Sequence, residues 1–86
     1  MINFDKQAER IRKAHQLLLE EKTGTPQDFA DKLKISRSQL YNLINQLKEF
    51  EAPIKYSKKI NSFYYHKMFD LELKFSLKIN NEEKFK

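Results

Sequence analysis

Apolar positions recur every three or four residues through the first half of the chain and every second residue in the second half. That change of period separates a helical part from a strand part. Phe4, Ala8, Ile11, His15 and Leu18, with Ala14 and Leu17 beside them, trace one stripe and predict a helix over residues 5–22. Glu9, Arg10, Arg12 and Lys13 take the opposite side, while Asp5 and Lys22 suit the two ends of the helix dipole. Thr23 and Gly24 predict the stop, because glycine enters the left-handed conformation that closes a helix. A second, short helix is expected from Thr25 to near Lys34. Its signals are a capping hydroxyl on Thr25, Pro26 at the first helical position and Asp28 at the acid position of a capping box. Phe29, Ala30 and Leu33 form its inward face, and Ile35 anchors the following turn to the core.

A third helix begins at Ser36, with Gln39 three residues on as its capping-box partner. Leu40, Leu43, Ile44 and Leu47 face inward, Phe50 and Ala52 close the element, and Pro53 blocks its continuation. Period two then takes over. Ile54, Lys55, Tyr56 and Ser57 read as one strand and Ser62, Phe63, Tyr64, Tyr65 and His66 as its return, with Asn61 as the positive-φ turn residue. A third strand is expected over residues 69–79, where Phe69, Leu71, Leu73, Phe75, Leu77 and Ile79 alternate with Asp70, Glu72, Lys74, Ser76 and Lys78. Residues 80–86 are polar and read as a frayed tail. The expected whole is a mainly α, α+β chain: a single domain over residues 1–79, with three helices, a hairpin and an extra terminal strand.

Composition narrows the function. Eighty-six residues make one small domain, and the absence of cysteine excludes disulfides, thiolate zinc sites and cysteine nucleophiles. No apolar run reaches the roughly 20 residues that span a bilayer. No secretory signal is visible at the N-terminus, so a cytoplasmic location is expected. The net charge is +5, and its distribution says more than its size. Residues 53–68 contain Lys55, Lys58, Lys59 and Lys67 and no acid, which places +4 of the +5 in one short segment. Lysines concentrated in this way suit counterion release from a phosphate backbone.

The outer face of the third helix carries Arg37, Ser38, Gln39, Tyr41, Asn42, Asn45 and Lys48. Arginine forms two parallel hydrogen bonds to guanine, asparagine and glutamine do so to adenine, and hydroxyls contact phosphates. Any solvated helix also carries such side chains. What favours recognition is the company they keep: two capped helices, the single anchoring residue Ile35, and a lysine loop shortly after.

Two runs carry a family resemblance. Ile35-Ser-Arg-Ser-Gln-Leu-Tyr-Asn-Leu-Ile-Asn-Gln-Leu-Lys48 has a Ser-Arg helix start with an aromatic one turn in. Ala52-Pro-Ile-Lys-Tyr-Ser-Lys-Lys-Ile-Asn-Ser-Phe-Tyr-Tyr-His66 has a Pro-Ile-x-Tyr strand, a basic wing and a Tyr-Tyr return. Over about residues 8–66 the chain resembles the DeoR-type winged helix-turn-helix, the module at the N-terminus of bacterial regulators with a WYL ligand domain. The resemblance implies a small bacterial transcriptional regulator that binds double-stranded DNA. Residues 36–45 would lie in the major groove and residues 57–62 would form the wing. Arg37, Ser38, Gln39, Asn42 and Asn45 are the expected base contacts. Ser36, Tyr41, Lys48, Lys55, Lys58 and Lys59 are the expected backbone contacts. Two departures stand out: Asn42 replaces a common arginine, and Ile60-Asn61-Ser62 replaces a glycine-rich wing tip, leaving an exposed isoleucine.

The other candidates read more plainly. His15 on an apolar stripe is expected to be a hydrogen-bonded core histidine, and His66 at a strand end a structural or incidental one. Two distant histidines without cysteine make no metal site. With no nucleophile elbow or phosphate-binding glycine loop, no enzyme, cofactor or small-molecule ligand is expected. Of Tyr56, Phe63, Tyr64 and Tyr65, at least two are expected in the core. The strand at 69–79 leaves two readings open: it extends the wing sheet, or it pairs with a second copy to give a homodimer. The competing function is a protein-interaction module that keeps the fold without binding DNA.

Overall fold

The computed structural model describes residues 4–70, which form three helices followed by an antiparallel hairpin. The helices are α1 (Phe4–Glu20), α2 (Pro26–Leu33) and α3 (Arg37–Glu49), and the strands are β1 (Ile54–Ser57) and β2 (Ser62–Tyr65). The order and packing are winged-helix-like. Both expected capping boxes are formed. Asp28 N–H donates to Thr25 Oγ1 (3.2 Å) and Thr25 N–H to Asp28 Oδ2 (3.1 Å). Gln39 N–H donates to Ser36 Oγ (3.1 Å) and Ser36 N–H to Gln39 Oε1 (2.9 Å). These bonds satisfy amides that a helix N-terminus otherwise leaves open. The bonds from Thr25 also hold the Asp28 carboxyl below its ordinary range. The stability that the Asp28 carboxylate contributes is therefore complete above the ordinary aspartate pKa and is lost as pH falls through the lowered value.

The helix ends depart from expectation. α1 stops before Thr23: Glu21 takes φ 56°, its N–H donates to Leu18 O (3.2 Å), and Lys22 N–H donates to Leu17 O (3.0 Å). That pair of bonds is a Schellman closure on a non-glycine residue. α2 closes the same way at Lys34 (φ 60°), with Ile35 N–H on Ala30 O, and α3 at Glu51 (φ 69°), with Ala52 N–H on Leu47 O. Left-handed backbone costs a residue with a Cβ roughly 1–2 kcal/mol. The gain is that orphan carbonyls are paired and the next residue, Ile35 or Ala52, turns into the core. Gly24, expected to close α1, instead turns the chain into the Thr25 cap at φ 76°. A Cβ there would stand 2.6 Å from Asp28 Cβ, inside the capping box.

The core joins Ala14 and Leu18 of α1, Phe29, Ala30 and Leu33 of α2, and the expected Leu40, Leu43, Ile44 and Leu47 of α3 to Ala52, Ile54, Phe63 and Phe69. The α1 stripe is centred on Ala14 and Leu18, with Ile11, His15 and Leu17 at its margins. Arg10, expected on the solvent side, is consequently half-buried. β1 and β2 pair in the register Ile54↔Tyr65 to Ser57↔Ser62, and His66 N–H extends the ladder to Pro53 O (2.9 Å). Asn61 takes φ 50°, as expected of the turn. Phe63 is buried between Phe29 and Tyr56, with ring centroids at 5.7 and 4.9 Å. Tyr56 and Tyr65 also pack on the core. Among the described residues the sheet has two strands. The expected strand at 69–79 lies outside the described residues beyond Asp70, as do the domain limit at 79 and the tail. Phe69 itself is buried against Tyr65 and His15, at 5.1 and 6.3 Å, rather than hydrogen-bonded into the sheet.

A buried polar cluster joins the helical part to the hairpin. Thr23 and Ser62 are 0% and 1% exposed. Thr23 N–H donates to Ser62 Oγ (3.0 Å), Phe63 N–H donates to Thr23 Oγ1 (2.8 Å), and Ser62 Oγ donates to Phe63 O (2.8 Å). The two hydroxyls lie 3.0 Å apart, and no buried side-chain polar atom among the described residues lacks a partner. Thr23→Val keeps the shape but strands the Phe63 amide, an expected loss of about 1–3 kcal/mol. At about 4–8 °C per kcal/mol for a domain of this size, thermal unfolding monitored by circular dichroism checks it. A midpoint unchanged from the parent would show that these bonds do not hold the halves together.

Candidate nucleic-acid interface

α2 and α3 are separated by Lys34, Ile35 and Ser36 alone. The left-handed Lys34 reverses the chain, Ile35 packs down, and Ser36 starts the next helix. Because Leu40, Leu43, Ile44 and Leu47 are all buried, the remainder of α3 is turned to solvent. Ser36, Arg37, Ser38, Gln39, Tyr41, Asn42, Asn45 and Lys48 are all exposed. Helical spacing sorts them into rows. Ser38, Asn42, Asn45 and Glu49 occupy the outermost row, directly opposite the buried face. Arg37, Tyr41 and Lys48 lie along one flank. Gln39, Asn42 and Gln46 lie along the other and share a groove with Gln7, Arg10 and Ile11 of α1.

This arrangement qualifies the individual side chains. Ser36 Oγ accepts the Gln39 amide and keeps its own hydrogen for an outside acceptor. Gln39 Oε1 accepts the Ser36 amide, so its NH₂ is the end left to donate. The row facing furthest outward has no cation and ends on the acid Glu49. The two basic residues of α3, Arg37 and Lys48, stand to one side of it.

Positive charge is supplied by the hairpin. Lys55, Lys58 and Lys59 are exposed, the last two in the loop at residues 58–61. Ile60 at the tip is 47% exposed, as expected. Lys55 pairs across the ladder with the half-buried Tyr64. His66 is held below the usual histidine range, first by partial desolvation and then by the charges of Lys55 and Lys67. It therefore stays neutral at neutral pH, and its small contribution to stability is present above the ordinary histidine pKa and lost as pH falls through the lowered one.

His15 is the hydrogen-bonded histidine that its position implied: Nδ1 lies 2.8 Å from the Tyr65 hydroxyl. Burial pushes the Tyr65 hydroxyl up from its ordinary value, so it stays protonated, and the tautomer of His15 decides which of the two donates. Among the described residues no three histidine, cysteine, aspartate or glutamate side chains cluster as metal ligands, and no helix is long and apolar enough to cross a membrane.

The groove residues Gln7, Arg10 and Gln46 were not legible as site residues. Arg10 precedes Ala14 by four and Leu18 by eight, and that spacing is the signal that places it beside the buried stripe. No protein-family model matches the chain, and neither the curated proteins nor the solved structures include a match.

The side chains on α3 thus divide by role. Ser36→Ala removes a cap and should cost about 0.5–2 kcal/mol. Ser38→Ala and Asn45→Ala, exposed and without internal bonds, should change stability by less than about 0.5 kcal/mol. Urea unfolding of the three variants tests this division, and an equal loss in all three would refute it.

Proposed function

We propose that this chain binds double-stranded DNA as a small bacterial transcriptional regulator of the DeoR-like winged helix-turn-helix type, acting in the cytoplasm. The observation that carries the reading is the pairing of a doubly capped, outward-facing α3 with an acid-free lysine hairpin that begins five residues after it. α3 enters the major groove, where Arg37, Ser38, Gln39, Asn42 and Asn45 contact base edges. Ser36, Tyr41 and Lys48 hold phosphates beside it, and Lys55, Lys58 and Lys59 hold the backbone from the wing.

The division between reading and holding gives the test. Lys58→Ala with Lys59→Ala should weaken binding to all duplexes alike and lower the slope of log K against log salt by about two units. Arg37→Ala should instead flatten the preference among sequences selected from a random duplex library. An unchanged salt slope in the lysine variant removes the wing from the interface.

A second reading has its own observation. Leu19 (51% exposed) and Met68 (fully exposed) border an apolar groove floored by Leu18, Tyr65 and Phe69. The alternating run at 69–79 starts from this groove. Paired antiparallel with a second copy about Leu73, that run sets Glu72 against Lys74 of the partner copy while keeping apolar residues together. On this reading the groove is a homodimer seam, either presenting two recognition helices or replacing DNA binding. Sedimentation equilibrium decides it: the parent should dimerise and Leu19→Lys with Met68→Lys should be a monomer, whereas a monomeric parent excludes the seam.

A further inference from the structure

We propose that the groove between α1 and α3 is a phosphate site, in which Arg10 binds a backbone phosphate of the duplex on the flank of α3 away from Arg37 and Lys48. The inference rests on the DNA-binding reading and adds a contact from a helix that the wing and α3 do not include.

The argument begins with Arg10 itself. Its side chain is half-buried, yet it has no hydrogen-bond or ion-pair partner among the described residues. A guanidinium partly withdrawn from water and left unpaired is poised for an anion, and its planar fork matches phosphate oxygens. The groove around it is chemically one-sided. Among the described residues its polar rim consists of the amides of Gln7, Gln39, Asn42 and Gln46, with no carboxylate. Gln39 is pre-set as a donor, because its carbonyl oxygen is occupied by the Ser36 amide at 2.9 Å. The apolar floor of Ile11, Ile35 and Leu43 lowers the local dielectric and strengthens any charge pairing above it.

Location identifies the source of the phosphate. Gln39 and Asn42 belong both to this rim and to the exposed face of α3. An anion in the groove therefore lies alongside a helix seated in the major groove, where the phosphates of a bordering strand run. Arg37 and Lys48 lie on the far flank. Arg10 gives the near flank, on which α3 itself carries no cation, a hold of its own. A free phosphate ion offers the same oxygens, so the test separates the two.

The experiment titrates the 86-residue chain with a random-sequence duplex at several salt concentrations. Arg10→Gln should lower the salt slope by about one unit. Arg12→Gln, on the same helix but exposed and outside the groove, should change it by clearly less. The thermal midpoint of Arg10→Gln should match the parent, since no internal bond is lost. Equal slopes for the two arginine variants would reduce the effect to the general field and overturn the proposal. Nuclear magnetic resonance of the Arg10 Nε–H with inorganic phosphate, ionic strength held constant, supplies the other arm. A shift that saturates at millimolar phosphate would assign the groove to the free ion and overturn the duplex assignment. If the parent binds no duplex while its wing remains folded, the DNA reading fails. If it binds with a slope lowered by the wing variant and untouched by Arg10→Gln, only the groove assignment fails.

Discussion

The Thr23–Ser62 hydroxyl pair is the constraint on which the rest of the molecule depends. A two-stranded hairpin is marginal alone in water and takes its stability from what it packs against. Phe63 gives that packing through Phe29, but apolar contact is weakly directional and tolerates slippage. The hydrogen bonds from Thr23 to Ser62 and Phe63 are directional, and they fix which face of β2 meets the helices. Slippage by one residue would turn Phe63 outward and strand three polar groups in the interior. The position of the lysines relative to α3 thus follows from a contact that β2 makes with the α1–α2 junction and in which no lysine takes part. Thr23 in turn is delivered by the closure of α1 at Glu21, so a helix end sets the placement of a strand.

The surface chemistry is divided in a way that bears on recognition. The outermost row of α3 is neutral until Glu49, and the cations stand at its margins: Arg37 and Lys48 on one flank, Arg10 on the other, the lysines on the hairpin. Neutral amides make bonds whose strength varies little with salt, whereas flanking cations contribute through ion release and are strongly salt-dependent. In a DNA complex such a division separates much of the selectivity from the affinity, with Arg37 serving both.

What was legible in the sequence is local, and what was not is mostly long-range. The capping boxes at Thr25 and Ser36 are written within four residues, and both form. The inward faces of α2 and α3, the hairpin strands and the positive φ of Asn61 follow equally from short patterns. The end of α1 does not, because nothing in Glu21 marks it for a left-handed conformation and Gly24 is the more obvious candidate. A Thr–Ser bond across thirty-nine positions leaves no periodic trace. Arg10 was misplaced because the α1 stripe centres on Ala14 rather than on the Ala8–Ile11–His15 line, a small rotation that carries it from solvent to a groove. For the candidate site, exposure of the chosen α3 residues was legible from the buried ones, while the inter-helix groove needed α1 and α3 placed side by side.

The join between α3 and the hairpin has a further consequence. Glu51 reverses the chain, Ala52 is buried, Pro53 has a fixed φ, and Ile54 N–H already donates to Ala52 O at 2.9 Å. No glycine interrupts the passage. Helix and hairpin are therefore arms of a rigid caliper, whose span is set by three residues of closed backbone rather than by an adaptable hinge. A partner must fit that span as it stands. Substitutions at Glu51 or Pro53, neither of them among the proposed contacts, would alter which spacings fit while leaving every proposed contact side chain in place.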